Sequence, residues 1–452
     1  MKSPLRLLAS VFALVLVIAS PVIAQTAAEM AALEARLMAR LEQRLAEESE
    51  ASRADQEATR LAFEQAVRAT ARSDNALDRR ALAAIDAGQT GQGIAVLEER
   101  ARARDAQAQA STDASLRLAR AEEWKRIGAL AFLDNTERAV NAYENALQFA
   151  PDDPVILDQL AYLYERQARS ADRSRVAQRL AELDDPETRA KGFIHLGDVR
   201  LEANEAAPAR QQYEQGAAAA REAGSARQEA RALTRIAATY LLARNNRQFE
   251  TAIQQSLAIS RANNLRYEEA EALYAIGTAH FTRGRTSLTG RQNQFAQAET
   301  YFSQVERIGR ETNDEIATAQ VMVRRGHVAR MMENQPLAEG LLREAIAIFQ
   351  RRGVVQRLGF AQHQLAATLV EQGRLEEARP LFRSSVAQAR ENNLPLYEGS
   401  ALLDWAQAEY RARNQPEACR LIRESNAAFD RAEGAGAFRL QTGMMTSSYC
   451  GR

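Results

Sequence analysis

QHQLAATLVEQGRLEEARPLFRSSV, from Gln362 to Val386, decides the fold. Leu365 and Ala366 stand in the middle of one apolar-periodic helix, and Gly373 interrupts the pattern at a turn. Leu375, Ala378, Phe382 and Ser385 then run along the inner face of a second helix. Apolar residues three and four apart mark a helix with one buried face, and a glycine between two such runs marks the reversal. The stretch is a helix–turn–helix unit, and the chain repeats it.

The repeat is defined by its spacing. A small residue in the first helix is followed twelve residues later by an alanine, four later by a large apolar residue and three later by a small one, as in Ala366, Ala378, Phe382 and Ser385. Gly326, Ala338, Leu342 and Ala345 obey it, as do Ala406, Ala418, Ile422 and Ser425, and Gly197, Ala209, Tyr213 and Gly216. Antiparallel helices approach to about 8–10 Å only where the contact side chains are short. The large residue one turn away then fills the space between hairpins.

An earlier unit adds an aromatic signature. Trp124, Ile127 and Gly128 share one helix, and Ala139, Tyr143, Ala146 and Leu147 the next, with Pro151 closing it. This pattern resembles the tetratricopeptide repeat family over residues 119–433. The resemblance implies an all-α solenoid of about eight antiparallel helix hairpins, with the first helices lining a concave groove that holds peptides. Ala298, Ala338, Ala378 and Ala418 are 40 residues apart, against about 34 for the commoner unit. Three departures stand out. Arg173 sits where the second-helix alanine of the unit around Leu157, Leu160, Ala161 and Tyr164 belongs. Three extra residues are expected between Ala237 and Ala252, and nine between Gly277 and Ala298, within RGRTSLTGRQNQ from Arg283 to Gln294. That polar insertion reads as a tolerated hairpin tip or as a binding loop.

The groove positions that the resemblance implies are Tyr274, Thr278, Phe281, Val323, His327, Arg330, Phe360, His363, Ala367, Leu403, Gln407 and Tyr410. They mix aromatics, histidines and an arginine. Lysine is missing from them, so the Lys- and Asn-based clamp that some family members use for acidic C-termini has no counterpart. Arg330 or Arg324 offers a weaker anion contact.

Outside the array, Lys2 and Arg6 begin the chain, an apolar run follows from Leu7 to Ile18, and Val22-Ile23-Ala24 supplies short residues. Residues 1–24 read as a signal peptide cleaved after Ala24, with an uncleaved anchor as the alternative. The expected destination is the periplasm or the exterior, with no membrane span in the mature chain. Residues 25–73 follow, and from Ala27 to Arg72 there is no glycine or proline; Met30, Leu33, Leu37, Leu41 and Leu45 share one face. This predicts an amphipathic helix, either a short coiled coil that makes a homo-oligomer through residues 27–72 or a helix solvated or packed on itself. Glu48, Ser52 and Asp55 would enter the seam beyond Leu45. Residues 74–118, with Leu82, Ile85, Ile94 and Leu97 around Gly88, Gly91 and Gly93, read as a degenerate hairpin capping the array.

At the other end, Cys419 and Cys450 flank the Gly434–Gly436 turn. Residues 434–452 read as a capping helix. An antiparallel return from Phe438 to Ser448 would bring the two cysteines opposite one another as a disulfide, the alternative being two free thiols.

Composition excludes several function classes. The 59 basic and 59 acidic residues leave no net field to steer the chain to nucleic acid or acidic lipid. His195, His280, His327 and His363 lie on first helices of different repeats, so no paired-histidine zinc motif exists. No phosphate-binding loop or serine elbow occurs, and no catalytic constellation or cofactor site is expected. The layout of signal peptide, coil and array is similar to that of periplasmic envelope-coordination proteins. It implies a non-catalytic scaffold that holds an extended segment of an envelope protein. The alternative is a regulatory or sensory solenoid for a small molecule or peptide signal.

Overall fold

The computed structural model describes residues 28–45, 53–109, 113–287, 289–432 and 434–451. Every regular element among them is an α-helix, and consecutive helices pack in pairs. The expected signal peptide lies outside the described residues. The chain divides between Asn204 and Glu205 into two compact units.

The first unit holds α1 (28–45), α2 (Arg53–Ala71), α3 (Ala76–Asp86), α4 (Thr90–Gln109), α5 (Ala114–Ala131), α6 (Thr136–Phe149), α7 (Pro154–Arg166), α8 (Ser170–Ala181) and α9 (Pro186–Glu202). Side-chain caps start many of them. Asn75, Asp113, Asn135, Asp153 and Asp185 each accept a backbone N–H from the following first turn. Pro154 and Pro186 supply the helix-ready φ just behind two of those caps.

The stretch expected as one amphipathic helix over 27–72 is two antiparallel helices. Arg68 reaches back to Glu34 at 2.7 Å, and Arg60 pairs with Glu42. Leu37, Leu41 and Leu45 are fully buried in a core that also contains Phe63 and Val67. The seam residues are therefore consumed inside the chain. The pair α3 and α4 is not an end cap either. Arg36 on α1 pairs with Asp86 at 2.7 Å, and Arg40 donates to Thr90 Oγ1 at 2.7 Å, so α1 covers that hairpin.

Arg173, at the expected alanine position, is wholly buried. Asp198 and Glu165 approach its guanidinium at 3.0 and 3.1 Å, and Glu202 at 2.5 Å. Burial alone would disfavour its charge, and these three carboxylates outweigh that and hold it protonated. An ionic cluster here replaces the small-residue contact.

The second unit holds α10 (Ala206–Glu222), α11 (Ala226–Leu242), α12 (Asn246–Ala262), α13 (Arg266–Thr286), α14 (Arg291–Glu311), α15 (Glu315–Met331), α16 (Gln335–Arg352), α17 (Val355–Glu371), α18 (Leu375–Glu391), α19 (Pro395–Arg411), α20 (Gln415–Arg431) and α21 (Gly436–Cys450). Its turns keep a regular beat. Left-handed residues stand at Gly224, Arg244 and Asn264, then at Asn313, Glu333, Gly353, Gly373, Asn393 and Arg413. After each, the next N–H bonds back across the helix end, as in Asp314 to Gly309, Arg374 to Leu369 and Leu394 to Ala389, all 2.8 Å. These bonds satisfy the last carbonyls and turn the chain sharply.

That beat corrects two expectations. The unit of α11 and α12 has no extra residues. Phe249 simply takes the alanine position, followed by Ile253 and Ser256 in register. Ser256 Oγ donates to Ala230 O at 2.8 Å, as Ser425 Oγ does to Gly399 O at 2.8 Å. The stretch from Arg283 to Gln294 is mostly helical, because α13 continues to Thr286 and α14 resumes at Arg291. Gly284 makes this possible, since a Cβ there would lie 2.6 Å from the Phe295 ring.

The small-against-large rule holds within this unit. Gly277 faces the Phe302 ring, and Gly326 faces Leu342. Gly128 faces Tyr143 in the same way in the first unit.

Candidate interaction face

Within the second unit, first helices α11, α13, α15, α17 and α19 lie next to one another in order, with the α13–α15 step made by side chains such as Phe281 against His327. Polar side chains stitch each step. Arg235 pairs with Glu271 at 2.9 Å. Arg324 Nε donates to Tyr274 Oη at 2.9 Å. Arg330 pairs with Glu371 at 3.0 Å, and His363 Nε2 meets Asp404 at 2.8 Å. These links give the first-helix face a fixed spacing.

Aromatic groups fill the same face. Phe281 meets the His327 ring edge-on at 4.9 Å and Phe295 at 5.8 Å. Tyr274 leans on Phe302 at 5.4 Å, and Phe360 meets Tyr397 at 5.9 Å. Arg285 lies over the Phe281 ring. Tyr274, Thr278, Phe281, His327, Arg330, Phe360 and Gln407 are half-buried, each presenting part of its surface.

The remaining expected groove residues are placed differently. Val323, His363, Ala367 and Leu403 are buried, with at most 7% of their surface exposed. They fill the joints between helices instead of an open face. Tyr410 is exposed on one side but stacks on Tyr449 of α21 at 4.1 Å. Its other side belongs to the end of the array.

The His327 ring titrates at about 3. Burial depresses it first, and Arg330, Arg285, Arg324 and His363 follow. It is therefore neutral at ordinary pH. Glu371 is pushed above the usual carboxylate range by burial, against the pull of Arg330.

Sequence reasoning missed Glu371 and Asp404. A signal for them existed: Arg330 to Glu371 and His363 to Asp404 are each 41 residues apart, one repeat plus one. Opposite charge at that spacing on first helices locates the stitches.

On the second-helix side, a cleft of roughly 450 Å³ is lined by Arg379, Arg383, Trp405, Glu409, Asn414 and Arg420, among others. Glu409 at its base accepts from Arg379 at 2.7 Å and from Trp405 Nε1 and Asn414 at 2.9 Å each. Its oxygens are thus engaged in holding the last hairpin together. Among the described residues, no group of three or more His, Cys, Asp or Glu is placed to hold a metal ion.

The end of the unit is closed by α21, which runs back along α20. Cys419 and Cys450 are joined as a disulfide, with Cα atoms 4.7 Å apart. Phe438 stacks on Phe429 at 5.0 Å.

This fold is that of tetratricopeptide-type helical solenoids. No protein-family model matches the chain, and no curated relative does. Among solved structures it is similar to a signal transduction ATPase with numerous domains that carries a tetratricopeptide repeat sensor, from Pyrococcus horikoshii. The TM-score is 0.56 at 11% identity, covering 85% of this chain and 57% of that one. It is also matched to aspartyl phosphate phosphatase F from Bacillus subtilis, with TM-score 0.48 and 11% identity over 80% of this chain and 96% of that one. A Rap protein complexed with competence and sporulation factor matches with TM-score 0.45 and 13% identity, covering 75% of this chain and 100% of that one. Among the described residues no helix is long and apolar enough to cross a membrane.

Proposed function

We propose that the chain is a non-catalytic interaction scaffold that holds an extended segment of a partner protein along the first-helix face of its second unit. The observation that carries this reading is the run of half-buried groups across consecutive first helices: Tyr274, Thr278 and Phe281, then His327 and Arg330, then Phe360, then Gln407. Half-buried aromatic rings present rigid apolar area at low entropic cost, which is what peptide anchors need. The stitches between helices hold those rings at fixed separations before any partner arrives, and preorganisation lowers the cost of binding.

The scaffold works outside the cytoplasm, on an envelope protein. The basic start, apolar run and short residues of 1–24 support this, as does the Cys419–Cys450 disulfide, because such bonds persist in oxidising compartments.

The test is crosslinking of the tagged protein in its native host followed by mass spectrometry, with a Phe281→Ala/Phe360→Ala variant beside the parent. A protein captured reproducibly by the parent and lost from a normally folded variant supports the groove. A partner retained by the variant places binding elsewhere and overturns it.

A further inference from the structure

Many arginines of the second unit pair with a carboxylate close by. On the second helices, Arg310 pairs with Glu306 and Glu344, Arg343 with Glu339, Arg390 with Glu398 and Glu424, and Arg420 with Glu417. Around His327, two arginines of the first helices stand outside such pairs. Arg324 spends its Nε on the Tyr274 hydroxyl, and Arg285 lies over the Phe281 ring. Neither has a carboxylate partner among the described residues, and both side chains are exposed. Arg330 has one carboxylate, Glu371, yet its Nε is buried without a hydrogen-bond acceptor. A buried donor left without an acceptor is costly unless something supplies one.

We infer that Arg285 and Arg324, flanking His327 and Phe281, form a subsite for an acidic side chain of the bound peptide. The inference rests on the groove reading above and names the chemistry of its occupant. A planar guanidinium pairs with a carboxylate through two parallel hydrogen bonds, and here two guanidiniums stand beside aromatic rings of α13, Arg285 over Phe281 and Arg324 at the Tyr274 hydroxyl. The Phe281 and Tyr274 rings accept the aliphatic stem of a glutamate. Burial first, and then the nearby charges of Arg330, Arg285 and Arg324, keep the His327 ring neutral, so it adds no competing charge to the subsite.

The probe is a fluorescein-labelled, C-terminally amidated decapeptide with four glutamates among glycine and leucine, against the same peptide with glutamine in their place. Anisotropy titrations use the full chain at low and at physiological salt. The glutamate peptide is expected to bind about tenfold more tightly than the glutamine peptide, with the difference shrinking as salt rises. Arg285→Gln/Arg324→Gln removes the preference, whereas Arg343→Gln/Arg420→Gln, on the second-helix side, keeps it. Both variants are checked for parental melting. Equal binding of the two peptides, no binding of the glutamate peptide, or a preference that survives loss of Arg285 and Arg324 overturns the inference. Host crosslinking lost on Phe281→Ala/Phe360→Ala alongside equal peptide binding would leave the groove standing without the acidic preference.

Discussion

Gly326 and Leu342 approach so closely that a Cβ on the glycine would lie 2.7 Å from Leu342 Cγ. Gly326→Ala is therefore expected to destabilise the second unit by about 1–3 kcal/mol through overpacking. Gly340, on the exposed face of the partner helix α16, has nothing within 4 Å of such an atom. Gly340→Ala is expected to stabilise by about 1 kcal/mol, since alanine favours helix. Urea denaturation of the two variants reads both signs in one pair of helices.

The turn residues make an independent pair. Glu333 sits at φ 60° and Gly373 at φ 75°, in equivalent turns of successive repeats. Glu333→Gly should gain about 1 kcal/mol by relieving the left-handed conformation, and Gly373→Ala should lose a similar amount. Thermal melts of both variants check this.

The positions at which small and large residues meet were legible because sterics writes them into residue type at fixed spacing. Gly326 with Leu342 and Gly128 with Tyr143 follow the spacing directly. Position 249 was not legible, because Phe249 is as apolar as any core residue and only the turn residues at Arg244 and Asn264 fix its register. The hairpin of α1 and α2 escaped for a similar reason. A face of leucines looks the same whether it buries against another molecule or against its own chain. On the interaction face, spacing found the helices but not the joints, so Val323, His363 and Leu403 could not be told from open positions by type alone.

Arg173 provides a test of the first unit. Its removal in Arg173→Met leaves Asp198, Glu165 and Glu202 without their shared cation. Loss of a buried pair's partner costs about 3–5 kcal/mol when the remaining charge stays buried. Glu165 and Glu202 are more than 40% exposed and can turn to water, so about 2–3 kcal/mol is expected. A differential melt should show the first unit losing stability while the second is unchanged.

His327 gives a pH dependence. In the unfolded chain the ring binds its proton near the usual value of about 6.5, whereas the folded ring resists until about 3. Its contribution to stability is fully present above about pH 6.5 and is lost as pH falls toward 3. His327→Gln should be less sensitive than the parent between pH 7 and about pH 4.5, measured as the shift in urea midpoint.

Reduction of the Cys419–Cys450 bond opens a loop spanning 31 residues. In the chain-entropy account that bond contributes about 3–4 kcal/mol. Within α21 only Thr442 and Tyr449 are buried, so besides the disulfide it is held mainly by the stacks of Phe438 on Phe429 and Tyr449 on Tyr410. Reductant should raise amide exchange across α21 while α15 to α18 keep their protection.

The regular beat of left-handed turns has a consequence for how such a chain can change. Helices α15, α17 and α19 begin at Glu315, Val355 and Pro395. A duplication or loss of one such interval returns every joint to an equivalent neighbour, so layers are interchangeable in principle. The pair α13 and α14 is the exception, because both helices are longer than those that follow and Gly284 must face Phe295. That pair serves as a landmark, giving each layer a distinct address counted from it. Phe281 and Arg285 stand on that landmark, so a partner that docks there can meet the array in only one frame.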